Sequence, residues 1–409
     1  MIDPTVISPR RKGAAPFSFG GNADPKPLKA NADKSFNGSK VYGQGFVFSD
    51  DGDLTTTPVE EMRELLKRNP AYRAVIFPYV GGEDINTDAR QESRRFVINF
   101  RAMSLEAAQQ WPDALSIVEN KVKPDREELG GYSVADGRRE RWWQYGTYAA
   151  GAERAIASLS RCLVMSQVSA RHSLAFQPVN QVFSHAVIIV ALSEYAAFCV
   201  LQCQGHEAWA RFFGSSLEDR LRYTPSVCFE TFAFPPNWRT DLTLEATGHS
   251  YYTFRATLMV RNDEGLTKTY NRFHDPDERS PDILRLRDLH AAMDRAVLDA
   301  YGWTDISTDC DFFLDYEIDE ETWGDKKKPY RYRWPDAVRD EVLARLLDLN
   351  QKRHQEDVAA GLHGKLDKAA PGSSTKPKAP RKPKKPRTKS TAPLAAGTMA
   401  LFDPDEEDR

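Results

Sequence analysis

The sequence lacks any run of about 18 or more apolar residues, which excludes a membrane-spanning helix of ordinary length. Its first residues, MIDP, show no basic stretch followed by an apolar one, so we predict no secretory signal. Only five cysteines occur among 409 residues, and their odd number and scattered positions are typical of reduced thiols. These three absences together predict a cytoplasmic protein.

A strong excess of charge is also missing, because 56 Lys and Arg residues nearly balance 59 Asp and Glu residues. Residues 364–409 hold 11 of the basic and 6 of the acidic residues, which leaves 45 and 53, a net charge of −8, for residues 1–363. Nucleic-acid binding by residues 1–363 would therefore require a local basic face. The Lys/Pro-rich composition of residues 364–409 predicts a disordered basic tail.

Apolar periodicity, capping residues and turn signals divide the rest of the chain into helices and strands. Predicted helices cover 58–67, 105–120, about twenty residues from Ser193, 242–260, 281–301 and 335–351. Predicted strands cover 40–49, 73–79, 94–100, 162–166, 173–177 and 182–191. The fold class is α+β, a mixed α/β domain followed by a helical region. We predict a connector at 1–74, the mixed domain at 75–237, a helical domain at 238–363 and the tail at 364–409.

Catalytic motifs are matched only in part. The tetrapeptide NPAY at 69–72 lacks the second proline of the Asn-Pro-Pro-Tyr loop of amino-methyltransferases, and no Gly-rich loop for S-adenosylmethionine precedes it. Nuclease-like carboxylates at 112–121 lie on a predicted helix, where a solvated face is favoured. Cys199, Cys203 and His206 lack a convincing fourth zinc ligand, so buried thiols are favoured. We predict no catalytic, cofactor-binding or metal-binding residue.

Two clusters combine arginines with aromatic residues: RRERWWQY at 138–145 and RLRY at 220–223. Arginines reach phosphates or guanine edges, while aromatic rings stack or pack. For the first cluster, a packed tryptophan pair with a solvated flank is an equally good interpretation. The second cluster follows Gly214-Ser215-Ser216, which we interpret as a loop whose backbone amides suit a phosphate.

Several phrases, taken in order, resemble one protein family. They are FPYVGGED at 77–84, WWQYG at 142–146, the strand end at 168–169, HEAWAR at 206–211, RYTP at 222–225, FETFAFP at 229–235 and LTKTYNRFH at 266–274. In this spacing they resemble the target-recognition and C-terminal regions of MmeI-like restriction–modification proteins, which are adenine-specific DNA methyltransferases. The resemblance covers roughly residues 35–350.

The resemblance implies that 75–237 is a DNA target-recognition domain packed on the helical region. The chain would then be the DNA-reading part of an adenine-specific methyltransferase in a restriction–modification or phage-defence system. We expect double-stranded DNA and a methyltransferase catalytic subunit or domain as partners. S-adenosylmethionine is expected to bind that partner, and this chain alone is expected to be inactive. The alternative is a non-catalytic architectural or decoy protein that binds DNA mainly through its tail.

Candidate DNA contacts follow from side-chain chemistry. Gln and Asn form paired hydrogen bonds with adenine, and Arg forms them with guanine. Residues 171–181 lie between two β-prone runs, so we expect a hairpin to carry the base-reading side chains into a groove. Expected base readers are Arg171, Gln177, Asn180 and Gln181, and expected phosphate contacts are Arg141, Arg211, Arg222 and Tyr223.

Overall fold

The structure, a computed structural model, describes residues 24–130, 133–217, 220–315 and 328–363. Its helices are α1 (Val59–Arg68), α2 (Gly82–Thr87), α3 (Leu105–Ala108), α4 (Pro112–Lys121), α5 (Lys123–Glu127), α6 (Ser133–Glu140), α7 (Ala150–Ile156), α8 (Tyr195–Gln202), α9 (Gln204–Phe213), α10 (Leu242–Asn262), α11 (Leu266–Phe273), α12 (Pro281–Tyr301) and α13 (Asp336–Ala359). Its strands are β1 (Ser35–Asn37), β2 (Val47–Phe48), β3 (Ile76–Val80), β4 (Phe96–Ile98), β5 (Arg161–Ser166), β6 (Val168–Ser169), β7 (Ala175–Pro178), β8 (Val182–Phe183), β9 (Val187–Val190), β10 (Ser215–Leu217), β11 (Arg220–Arg222), β12 (Asp311–Leu314) and β13 (Tyr330–Arg333). The predicted mixed α/β fold with a helical C-terminal region is confirmed, and the predicted tail at 364–409 lies outside the described residues.

A sheet with strand order β1-β9-β5-β7 lies in the larger of two hydrophobic cores. All three strand pairs in it are antiparallel. Strand β9 is buried along its whole length, as expected for a central strand of consecutive β-branched residues. Helix α8, which is also almost wholly buried, packs in the same core.

A second sheet, with strand order β2-β4-β3-β8, belongs mostly to a smaller core. Its last pair, β3 with β8, is parallel, whereas the others are antiparallel. Buried side chains of α1 and α4 complete this core. The core includes residues from 41 to 75, so the predicted connector at 1–74 contributes to a packed region.

The helical region shares the larger core with the strands. Helix α10 packs along α8 and α12, and α13 packs on α9. The predicted boundary at 237 therefore falls within one continuous core. Within the described residues, no helix is both long and apolar enough to cross a membrane.

Close packing of α10 on α8 depends on Gly248. A Cβ atom placed there would lie 2.3 Å from the Tyr195 carbonyl oxygen, which is backbone and cannot rotate away. We predict that Gly248→Ala lowers the free energy of unfolding by about 1–3 kcal/mol, because the two helices must separate. The matched control is Gly137→Ala in α6, where only the end of the Arg141 side chain is near. There the higher helix propensity of alanine is expected to stabilise the protein by up to about 1 kcal/mol. Urea denaturation measures both variants, and equal effects would contradict the packing argument.

Several sequence predictions need correction. The predicted helix at 105–120 is two helices, because Pro112 begins α4 after a break at Trp111. The predicted strand at 182–191 is divided into β8 and β9, which lie in different sheets. Residues 215–217 are not a loop but strand β10, which pairs with β11. The antiparallel hairpin of β12 and β13 is absent from the predicted elements.

Candidate nucleic-acid interface

Strand β11 presents a basic side chain at the surface. It is the middle strand of a small sheet with the order β10-β11-β6. Leu221 points into the core, so its neighbours Arg220 and Arg222 point outward, as the two-residue period of a strand requires. The exposed guanidinium of Arg222 has no hydrogen-bond or ion-pair partner among the described residues. It is therefore available to an anionic ligand.

Arg171 lies in the segment that joins β6 to β7. Its Nε donates a hydrogen bond to Asn271 Oδ1 over 3.3 Å. Burial, together with the positive charge of Arg331, lowers the pKa of Arg171 to about 10, so it remains charged at neutral pH. Its two terminal nitrogens have no acceptor within the described part of the chain. The terminal N–H groups of this half-buried cation therefore remain available to a ligand.

The predicted hairpin for the base readers does not form. Strand β7 pairs with β5, while β8 pairs with β3 in another sheet. Arg171 precedes β7, and Asn180 and Gln181 follow it, so they flank opposite ends of the strand. The expectation that one hairpin carries these residues together is therefore wrong, because β7 and β8 pair with other strands.

Gln177 is not presented to a ligand. Its side chain is about 5% exposed, and its Nε2 donates to the Gln91 carbonyl oxygen over 3.0 Å. Its Oε1 accepts from Gln181 Nε2 over 2.8 Å. The amide of Gln177, an expected base reader, is thus already paired inside the protein. Asn180, in contrast, is exposed and lines a surface cavity with Gln181, Arg101 and Glu153.

Tyr223, an expected phosphate contact, is buried in this structure. Strand alternation turns it away from the exposed Arg222, and it is 1% exposed. Its hydroxyl lies 3.0 Å from His206 Nε2 in the core. Burial raises the pKa of Tyr223 well above its usual value, so the ring serves packing. None of its polar atoms reaches the surface in this structure.

Arg211 is committed to internal contacts. Its Nε donates to Glu207 Oε1 over 2.8 Å, and its Nη2 donates to the Ala170 carbonyl oxygen over 2.7 Å. Arg331 on β13 donates to the same two acceptors, over 2.8 Å and 3.0 Å. Arg211, an expected phosphate contact, is therefore a member of a buried ion network in this structure.

Arg141 is exposed beside a buried tryptophan pair. Trp142 and Trp143 meet edge to face with ring centroids 5.9 Å apart. Arg126 stabilises this segment, because its Nη1 donates a hydrogen bond to the Gln144 carbonyl oxygen over 2.7 Å. Burial lowers the pKa of Arg126 to about 10. The interpretation of a packed tryptophan pair with a solvated flank is confirmed, and Arg141 belongs to that flank.

The comparisons with known proteins agree with this architecture. A family model described as the MmeI target recognition domain matches residues 28–236, just over half of the chain. This chain belongs to the MmeI target-recognition-domain family. The matched segment begins within the predicted connector at 1–74 and ends close to the predicted domain end at 237.

Similar folds occur among solved structures. One is described as "Structure of Type IIL restriction-modification enzyme MmeI in complex with DNA has implications for engineering of new specificities". It is 19% identical, with a TM-score of 0.57, and the match covers 82% of this chain and 38% of that chain. The likeness shows a shared fold, and this chain spans well under half of that protein. Comparison with curated proteins finds no match.

Arg331 and Asn271 of this MmeI-family member are not among the site residues predicted from the sequence. The alternation YRYR at 330–333 is the local signal for strand β13, since it has the two-residue period of a strand. Nothing local indicates that Arg331 would meet Glu207, which lies 124 residues away. Asn271 lies within the LTKTYNRFH phrase. No local pattern there predicts its contact with Arg171, which lies 100 residues away.

Metal-binding clusters are not found among the described residues: no group of three or more His, Cys, Asp or Glu side chains is arranged to hold an ion. Cys199 and Cys203 are buried, and burial raises the pKa of both thiols. Their protonated form at neutral pH fits the interpretation as small core residues. His206 pairs with Tyr223.

Proposed function

We propose that this chain is the DNA sequence-recognition part of an adenine-specific methyltransferase in a restriction–modification or phage-defence system. It would act in the cytoplasm with double-stranded DNA. Family membership supports target recognition, and the similar MmeI structure is described as a complex with DNA. The observation that carries the proposal is the pair of arginines, Arg171 and Arg222, whose terminal nitrogens have no partner among the described residues.

Two side chains are the preferred base readers once burial is considered. Arg171 has the fork that matches guanine O6 and N7, and exposed Asn180 has the amide that matches adenine. Gln181 donates one of its two Nε2 hydrogens to Gln177, so its amide is already partly committed inside the protein. Arg141 and Arg222 are the preferred phosphate contacts, because both are exposed and neither guanidinium is bonded to another described residue.

The cofactor and the methyl transfer are proposed to belong to a partner chain or domain. The partial NPAY match lies just after α1, where Asn69 Oδ1 accepts a hydrogen bond from Ala71 N and caps a short turn. Its amide is thus engaged locally, as expected for a helix stop signal. Calorimetric titration of the purified chain with S-adenosylmethionine tests this assignment. Heat of binding, or methyl incorporation into DNA, would contradict it.

Selection from a random duplex library is the decisive experiment. The full chain is mixed with random-sequence duplexes, and the bound fraction is sequenced over several rounds. Enrichment of one short sequence is the result we expect, since direct base contacts discriminate by about 1–3 kcal/mol each. A bound pool without enrichment would instead support the architectural alternative, because a basic tail provides affinity without sequence preference.

Arg222→Ala is predicted to weaken binding to all sequences alike. The loss of one phosphate contact should reduce the slope of log affinity against log salt by about one. Affinities at several salt concentrations, measured on selected and random duplexes, check this result. Arg63→Ala is the control, because Arg63 is exposed but paired with Glu60. A changed base preference in Arg222→Ala would reassign this residue to base reading.

A further inference from the structure

Asn271 connects the helical region to the candidate base reader. It lies in α11, outside the family-matched segment 28–236, and its side chain is exposed at the surface. Its Oδ1 accepts the hydrogen bond from Arg171 Nε over 3.3 Å. This is the one side-chain hydrogen bond of Arg171 within the described residues.

The position of this bond on the guanidinium matters. Because Nε is occupied by Asn271, the two terminal nitrogens remain together on the opposite edge of the planar group. Two N–H donors in that plane match the paired acceptors O6 and N7 of guanine. An arginine held at Nε is thus fixed in rotation, and less side-chain freedom is lost when the base binds.

The backbone before Arg171 is held as well. The Ala170 carbonyl oxygen accepts hydrogen bonds from Arg211 and from Arg331, over 2.7 Å and 3.0 Å. The Arg171 amide donates to Ser169 Oγ over 3.1 Å. Backbone and side chain are therefore both fixed, as a preorganised contact requires.

The electrostatic surroundings favour an external acceptor. Arg211 and Arg331 lie near Arg171, and their charges oppose its own, although Glu207 and Asp315 offset part of this repulsion. Asn271 is neutral and provides one oxygen only. The two terminal nitrogens of Arg171 have no acceptor among the described residues, and guanine presents two acceptors at a matching spacing.

We propose that Asn271 is a positioning residue that orients Arg171 for a paired contact with one guanine. The specificity at one base pair then depends on a side chain from the helical region, outside the family-matched segment. This inference rests on the proposed function, since it assumes that the chain reads DNA. It adds a residue to that function and a dependence on a second region of the chain.

A double-mutant cycle in the full chain tests the proposal. Wild type, Arg171→Ala, Asn271→Ala and the double variant are each selected against random duplexes, and their affinities for the selected and the random duplexes are measured. Arg171→Ala should lose the guanine preference at one position by about 5- to 150-fold. Asn271→Ala should weaken the same preference by about 2- to 12-fold, the value of one hydrogen bond. The double variant should resemble Arg171→Ala, because Asn271 acts through Arg171.

Two further variants separate positioning from general structure. Asn271→Asp keeps an acceptor for Arg171 Nε and should retain the guanine preference. Thr267→Ala removes an exposed side chain from the same helix, one turn earlier, and should leave the preference unchanged. Affinity for random duplexes should be the same in Asn271→Ala as in wild type, which a general loss of structure would not allow.

The outcomes distinguish failure of the proposed function from failure of the positioning role of Asn271. No enriched sequence with the wild-type chain would overturn the proposed function itself. Enrichment with wild type but an unchanged guanine preference in Asn271→Ala would overturn the positioning role alone. Additive losses in the double variant, or losses at two different base pairs, would likewise overturn it.

Discussion

Glu207→Ala is expected to lower the free energy of unfolding by about 3–5 kcal/mol. The Glu207 carboxylate is buried, and its Oε1 accepts hydrogen bonds from Arg211 Nε and Arg331 Nη1, each over 2.8 Å. Burial alone would raise the pKa of Glu207, but these two arginines hold it far below its usual range. Among the described residues, removing the carboxylate would leave the two largely buried cations with Asp315, which pairs with Arg331, as their one remaining carboxylate partner. Uncompensated buried charge is among the most destabilising changes in a protein interior.

Urea denaturation of the variant and of a matched control checks this expectation. Glu60→Ala removes another helical glutamate that is paired with an arginine, Arg63, over 3.0 Å, but both side chains are more than 60% exposed. Its expected cost is below about 1 kcal/mol, because exposed ion pairs contribute little. Glu207→Gln, which keeps the hydrogen-bond acceptor, should lie between the two if Glu207→Ala does not fold. Similar losses for Glu60→Ala and Glu207→Ala would show that burial does not set the value of the pair.

Long helices were predictable where the chain carries its own end signals. Helix α12 spans Pro281–Tyr301, which are the predicted bounds. Proline at the first helical position favours the start, and Gly302 adopts the left-handed conformation, with φ of +79°, that ends many helices. These signals are local, so the sequence displays them directly.

Tertiary contacts explain the main errors. The helix predicted from Ser193 is interrupted at Cys203, whose backbone is extended, and divides into α8 and α9. The Gln204 amide donates to Asp294 Oδ1 over 2.8 Å instead of continuing the helix. That acceptor comes from α12, 90 residues later. No local pattern reveals such a partner.

The candidate site residues also divide into those whose placement follows from local sequence and those whose placement depends on distant contacts. Arg222 was predictable as a surface cation, because alternation around Leu221 is readable in RLRY. The opposite orientation of Tyr223 follows from the same alternation and was available from the sequence. The internal commitment of Arg211 and Gln177 was not, since their partners come from distant segments. Side-chain type therefore predicts what a residue is able to bind, while long-range packing decides whether it remains available.

Acidification is expected to destabilise the fold steeply below about pH 6.5, where three buried histidines resist protonation. His172, His206 and His274 are each no more than 5% exposed. Burial is the main cause of their lowered pKa values, and nearby positive charge contributes further, from Arg171 and Arg331 in the case of His274. In the unfolded chain these groups would titrate near the ordinary histidine pKa of about 6.5.

The sign of the effect follows from proton uptake. Between the lowered folded pKa values and about 6.5, the unfolded state binds more protons than the folded state, so stability falls as pH falls. Each such histidine contributes at most about 1.4 kcal/mol per pH unit, and its stabilisation is fully present above about pH 6.5. His290 opposes the trend only above about pH 6.5, because below that pH both the folded and the unfolded state hold its proton. Burial would lower its pKa, but the Asp294 carboxylate raises it overall, so the folded state binds that proton more tightly.

Below about pH 6.5 the three histidines with lowered pKa values act together, so the loss of stability is expected to be at most about 4 kcal/mol per pH unit. Urea denaturation at about pH 7 and about pH 5.5 measures it. His206→Gln keeps a polar partner for the Tyr223 hydroxyl and removes one titrating group, so it should reduce the loss by up to about 1.4 kcal/mol per pH unit. His249→Gln, at an exposed position on α10, should retain the wild-type loss. If His206→Gln also retains it in full, then proton exclusion from His206 does not contribute to the acid sensitivity of this fold.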